Sequence, residues 1–258
     1  MRLSALLALV VLLPLVLGGC GAKPAPSDRT TPPRVGACRD LDTQDVAAHT
    51  DDTPTVACSR PHTAQTFLVG RLPRRTGASY DDRWHGSHVY DTCGPAFERF
   101  LGADDSLVMR IRISWVWFRP SAAAWKRGAR WFRCDAVGGP DGARRLAYLP
   151  TVTKGLFQGR PAQQWLACSR GSTFAGSTRV PCSARHDWRA IATVKLGQPD
   201  DPYPGDRISE VRARDYCSDQ VGAWLNYALD YGYGYTYFHA AEWRAGNRRA
   251  VCWAETDQ

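Results

Sequence analysis

Apolar residues are arranged along this chain in three ways. From residue 3 to residue 17 they form a run behind Arg2, broken by Ser4 and Pro14. A basic start, an apolar stretch of about fifteen residues and small residues after it make a secretory signal peptide over 1–19. A transmembrane anchor is the alternative, but the run falls short of the roughly 20 residues a spanning helix needs. Further on, Val89, Cys93, Phe97, Phe100 and Leu101 recur at spacings of three and four. That spacing predicts a helix over 81–101, with Gly94-Pro95 as a point where it can split. Ile111, Ile113, Trp115 and Trp117 alternate with Arg110, Arg112, Ser114 and Val116, the period of a strand. Strands are also expected over 65–71 and 131–135.

The same order of patterns then returns. A strand is expected over 188–196, and a helix over 208–229 with Cys217, Val221, Trp224 and Leu225 on one face. An alternating strand follows over 231–238 and a last strand over 250–253. The separation from Cys58 to Cys93 is 35 residues, and so is that from Cys182 to Cys217. Trp125 and Trp243 each stand nine residues before a Cys, Gly128 and Gly246 six before, and Arg130 and Arg248 four before. Coincidences at matched offsets argue an internal repeat. The expected fold class is therefore α+β: two tandem copies of a small antiparallel sheet with one packed helix. The copies are expected at 36–137 and 155–258. A Pro-rich tether over 20–35 and a Gly-rich linker over 138–154 separate them from the signal and from each other.

Nine Cys in a chain with an export signal read as cross-links. With Cys20 set aside, Cys38, Cys58, Cys93, Cys134, Cys168, Cys182, Cys217 and Cys252 make an even set. If each copy closes on itself in the same way, three connectivities remain. First-to-second and third-to-fourth is favoured: Cys38–Cys58, Cys93–Cys134, Cys168–Cys182 and Cys217–Cys252. Each bridge contributes about 3–4 kcal/mol by loop closure.

The net charge is +8, and only four of the 33 basic residues are Lys. Nucleotide bias with a solvated surface accounts for this. Attraction to anionic lipid headgroups or an anionic wall polymer is the sharper reading. No run of five or six basic residues occurs, and nucleic acid is not an expected partner.

No residue pattern points to catalysis. The chain has no Gly-x-Ser-x-Gly elbow, His-Glu-x-x-His or P-loop. His62 and His186 occupy matched places after Cys58 and Cys182 and are candidate partner or ligand contacts. A metal needs three or four converging ligands and the nearby Cys are committed, so a His that bonds its own turn beside Trp125 or Trp243 is the better reading. No metal or cofactor is expected. His85 and His88 read as an exposed polar face. Tyr231, Tyr233, Tyr235 and Tyr237 read as a core-facing row, with Gly232 and Gly234 leaving room for a close backbone approach. Trp125 with Gly128 and Arg130, and Trp243 with Gly246 and Arg248, read as structural motifs.

Two resemblances add to this. The run Leu17-Gly18-Gly19-Cys20 resembles the lipobox of bacterial lipoproteins, which implies that Cys20 is lipidated and becomes the mature N-terminus. Cys58-Ser59-Arg60-Pro61-His62 and Cys182-Ser183-Ala184-Arg185-His186, with the two Trp-x-x-Gly-x-Arg stretches, resemble the septum formation domain of actinobacterial-type envelope proteins. Two copies would cover nearly all of 36–258. The family often has an acidic residue three after the His, where this chain has Gln65 and Arg189. The resemblance implies a role in division or envelope growth and implies no reaction. The expectation is a non-catalytic, lipid-anchored extracytoplasmic protein that binds a division or cell-wall partner. A peptidoglycan hydrolase or modifying enzyme is the first alternative, and a small-ligand binding lipoprotein the second.

Overall fold

A computed structural model describes residues 26–73, 79–81, 84–140, 145–244 and 246–256. The signal peptide expected over 1–19 and the expected lipidation site Cys20 lie outside the described residues. Among those described, no helix is long and apolar enough to cross a membrane.

The first half contains β1 (Cys38–Arg39), α1 (Thr43–Ala47), β2 (Thr55–Val56), β3 (Ala64–Arg71) and α2 (Trp84–Leu101). It continues with β4 (Ile113–Phe118), α3 (Ala122–Lys126) and β5 (Trp131–Gly138). The second half contains β6 (Ala167–Arg170), β7 (Thr178–Pro181), β8 (Trp188–Lys195), α4 (Asp206–Trp224), β9 (Tyr233–Tyr237), α5 (Ala240–Arg244) and β10 (Arg249–Glu255). Each half builds a five-stranded sheet, in the orders β2-β1-β3-β5-β4 and β7-β6-β8-β10-β9. Every pairing is antiparallel. The second order repeats the first strand for strand.

The halves also share a flaw in register. Thr66 and Leu68 of β3 face Asp135 and Cys134 in turn, so Phe67 is left over as a bulge. Ala190 and Ala192 of β8 face Trp253 and Cys252, and Ile191 is left over. A bulge bends its strand and increases the local twist. Phe67 is buried among Val89, Phe97 and Phe132, and Ile191 packs against the cluster of Cys217 and Val221.

The period-3.6 face of α2 goes where its apolar residues direct it. Val89, Cys93, Phe97 and Leu101 are buried together with Phe132 and Cys134 of β5. The helix does not split at Gly94-Pro95; it is continuous, with Pro95 inside it. Proline cannot donate to the carbonyl four residues back, which weakens one turn. The buried face on both sides and the Cys93–Cys134 bridge hold the helix across it. α4 ends earlier than its pattern suggested, because Asn226 and Tyr227 turn left-handed at φ 54° and 55°. Trp224, the last residue of α4, is 50% exposed rather than on the packed face with Cys217 and Val221.

Disulfides join Cys38–Cys58, Cys93–Cys134, Cys168–Cys182 and Cys217–Cys252, two within each half. In each half one bridge ties the short strand beside the edge strand, β1 or β6, to the chain just after that edge strand. The other ties the helix to the last strand.

The two segments expected to be connectors are packed from within. Of the tether over 20–35, residues 26–29 are tied down. Ser121 N–H donates to Ser27 O at 2.8 Å, and the Trp131 indole donates to Arg29 O at 2.9 Å. In the linker over 138–154, Leu146 and Leu149 are buried, and Leu149 N–H donates to His62 O at 2.8 Å. Phe157 and Trp165, assigned by sequence to the second copy, are buried in the core of the first half. Apolar side chains placed a few residues apart give a loop something to bury, and that outweighs its Gly content.

Candidate functional site

The paired motifs resolve into local structure. His62 and His186 are 1% and 2% exposed. Each Nδ1 lies 2.8 Å from a carbonyl two residues back, Arg60 O and Ala184 O. A carbonyl only accepts, so Nδ1 carries the proton and each ring closes its own turn. Cys168, Cys182 and His186 bring ring nitrogen and sulfur within 4.8 Å of one another. Both sulfurs are spent in a disulfide, so the group offers no thiolate to a metal.

The Trp-x-x-Gly-x-Arg stretches are helix stops. Gly128 N–H donates to Trp125 O at 2.9 Å and Ala129 N–H to Ala124 O at 3.0 Å. Gly246 and Asn247 do the same to Trp243 O and Glu242 O at 3.0 and 2.9 Å. This is the Schellman arrangement, with glycine in the left-handed position at φ 95° and 109°. The arginine then lies over the indole: the Arg130 guanidinium is 3.6 Å from the Trp125 ring centre, and Arg248 is 5.5 Å from that of Trp243. The rings that pack against Trp125 are His85, at 5.2 Å, and Tyr80, at 5.7 Å, rather than His62. His85 is 1% exposed, and His88 meets the Phe132 ring at 5.8 Å. The pair is thus drawn into the core side of α2 rather than displayed as a polar face.

Tyr231, Tyr233, Tyr235 and Tyr237 pack as a partly buried row against the α4 cluster. The opposite face is filled by Phe174. A Cβ on Gly234 would fall 2.3 Å from that ring, and Phe174 stands 5.3 Å from Trp253 and 5.7 Å from Trp188.

The feature that local patterns did not indicate lies between the halves. The sheets join where Ile111 bridges to Leu166, with Arg112 N–H donating to Trp165 O at 2.8 Å and Ala167 N–H to Arg110 O at 2.9 Å. The Arg110 side chain reaches across to Ile191 O at 3.0 Å. Beside this seam a cleft of about 860 Å³ opens. Its first wall is a face of α2 with the edge of β4. Its second wall is the segment after β8 and the turn that leads from α5 into β10. Tyr90 and Trp115 line the first wall with ring centres 5.9 Å apart. Burial pushes the Tyr90 hydroxyl up, and Arg248 opposes that shift. Burial, reinforced by Asp105, also pushes the Glu98 carboxyl up. The residues of this cleft are spread from Ser87 to Arg249, and no spacing rule joins them.

The septum formation family matches residues 88–252. No curated protein and no solved structure matches significantly. The match begins inside α2, ends in β10 and takes in the cleft. It is one continuous match over parts of both sheets, not one for each of two copies. By this match, which covers the greater part of its length, the chain belongs to the septum formation family.

Proposed function

We propose that this protein is a non-catalytic component of the cell envelope that serves septum formation by binding a division or wall partner outside the cytoplasm. The observation that carries the reading is the family match over 88–252. Four disulfides support an oxidising compartment. The lipobox-like run ending at Cys20 supports anchoring to the membrane by acyl chains. The equal strand orders, the equivalent bulges at Phe67 and Ile191 and the two Schellman stops support descent of both halves from one duplicated unit.

The test is a fluorescent fusion followed through division, with Cys20→Ala beside it. The fusion is expected at the septum, and the variant is expected to leave the membrane fraction or remain unprocessed. An even distribution over the envelope throughout division overturns the septal role. An unmodified residue 20 in the mature protein overturns the anchor. Small-ligand binding is the second reading, and the open cleft of about 860 Å³ is what favours it, since clefts that hold small molecules run to several hundred Å³.

A further inference from the structure

The two walls of the cleft carry opposite charge. From the first half come Asp91, Glu98 and Asp105, with no basic residue among the lining side chains. From the second come Lys195, Arg244, Arg248 and Arg249, against the single acid Asp200. Each wall thus carries three net charges, negative on one side and positive on the other. Among the described residues only Arg249–Asp105 closes into an ion pair across the gap. Asp91 and Glu98 stand seven residues apart along α2, on one face, with Gly94 between them and Tyr90 just before Asp91 lining the same wall.

Charge complementarity between two halves serves first to hold them together. A surface that does only this closes, since a packed interface core reaches the density of a protein interior. Here the seam at Ile111, Trp165 and Leu166 does the closing; beside it the walls touch where Tyr90 lies against Gly246 and Arg249 pairs with Asp105, and among the described residues no other ion pair joins the charged side chains across the gap. An anion entering the gap is repelled by one wall, and a cation by the other. A ligand bearing both charges at opposite ends satisfies both, with apolar contact from Tyr90 and Trp115 between them.

The geometry points to a binding site for a zwitterionic short peptide, its ammonium group on the Asp91–Glu98 wall and its carboxylate on the Lys195–Arg244 wall. The volume accommodates a few residues. The proposal deepens the small-ligand reading and is independent of the septal one, so the two fail separately: loss of peptide binding leaves septal localisation untouched.

The experiment is calorimetric titration of the purified full chain with four forms of the tripeptide Ala-Phe-Ala. These have both termini free, the amine acetylated, the carboxylate amidated, or both blocked. The free peptide is expected to bind, and each block to weaken it about tenfold or more. Asp91→Asn with Glu98→Gln is expected to abolish discrimination against the acetylated form while keeping that against the amide. Lys195→Gln with Arg244→Gln is expected to do the reverse. All four residues are on the cleft walls, and thermal melts of both variants check that the fold is kept. Equal binding of the four peptides, no binding at about 10 mM, or discrimination that survives both double variants overturns the proposal.

Discussion

Tyr90 of the first half lies against Gly246 of the second, so closely that a Cβ on Gly246 would fall 2.4 Å from the tyrosine Cε1. The equivalent glycine, Gly128, has nothing within 4 Å of that position. The same motif therefore does one job in the first half and two in the second: it stops a helix, and it also receives a ring from the other half. Both glycines need a positive φ, so either change to alanine costs about 1–2 kcal/mol. Gly246→Ala adds an overpacking cost of about 1–3 kcal/mol. Chemical denaturation is expected to rank Gly246→Ala below Gly128→Ala. Tyr90→Ala is expected to recover part of the difference, and additive losses would show that Tyr90 and Gly246 do not meet.

The two motif tryptophans are expected to be fold determinants. Trp125 is 8% and Trp243 2% exposed. Trp243 also donates its indole N–H to Asp201 O at 2.9 Å and packs on Tyr203 at 5.5 Å. Truncating a buried Trp to Ala costs about 3–5 kcal/mol, so Trp243→Ala belongs at the upper end and Trp125→Ala below it. Thermal melts and sensitivity of the disulfides to reductant report both. Melting like the wild type, with loss of a partner in pull-down, would make these rings contact residues.

The elements that periodicity and matched spacing brought out are those whose apolar residues answer to one partner. The face of α2 meets β5, and the rows of β4 and β9 meet their helices. The repeat reduced the Cys pairings to three, and the favoured one is formed, because each half closes on itself. β1 and β2 were not legible, since two residues, Cys38–Arg39 or Thr55–Val56, carry no period. Residues 138–154 look like a connector by composition and 155–165 like the start of the second copy, yet Leu149, Phe157 and Trp165 are buried in the first half. Isolated apolar residues in a Gly- and Pro-rich stretch do not say which core they join. The cleft was not legible for a related reason. Tyr90, Glu98, Lys195 and Arg248 become neighbours only when the halves dock, and no local pattern records docking.

The halves differ most on the sheet face away from the helix. Arg133 and Asp135 flank Cys134, where Val251 and Trp253 flank Cys252. The first pair belongs to a buried ion network. Arg133 bonds Asp51 and, at 2.9 Å, Asp135; Arg39 donates to Thr66 Oγ1 at 3.0 Å, and Thr66 to Asp135 at 2.7 Å. All five are 4% exposed or less. The second half fills the same place with Trp188, Val251 and Trp253 around Phe174. Removing one partner of a buried pair costs about 3–5 kcal/mol, because the other charge is left unpaired. Asp135→Asn and Arg133→Met are each expected to fall in that range. The double variant is expected to lose less than their sum, read from denaturation midpoints in a double-mutant cycle. Strict additivity would mean that the two side chains are not coupled.

A last prediction concerns pH and is confined to the second half. His239 Nδ1 lies 2.6 Å from Asp206 Oδ1, at the start of α4, and Tyr203 donates its hydroxyl to the same carboxylate oxygen. The hydrogen bond to Asp206 holds the His239 imidazolium above its usual range, and the bonds from His239 and Tyr203 hold the Asp206 carboxyl below its own. A base with a raised folded pKa stabilises fully below its unfolded value, and that contribution disappears as pH rises through the folded value. An acid with a lowered folded pKa stabilises above its unfolded value, and that contribution disappears as pH falls through the folded value. The pair therefore contributes between the carboxylate and imidazole ranges and fades on either side. Both groups are largely in solvent, so screening keeps the effect on melting small, and the clear readout is the titration itself. Following the His239 Cε1 proton by NMR, the wild type is expected to titrate above Asp206→Asn. Coincident curves for the two proteins would show that the imidazole and the carboxylate do not pair in solution.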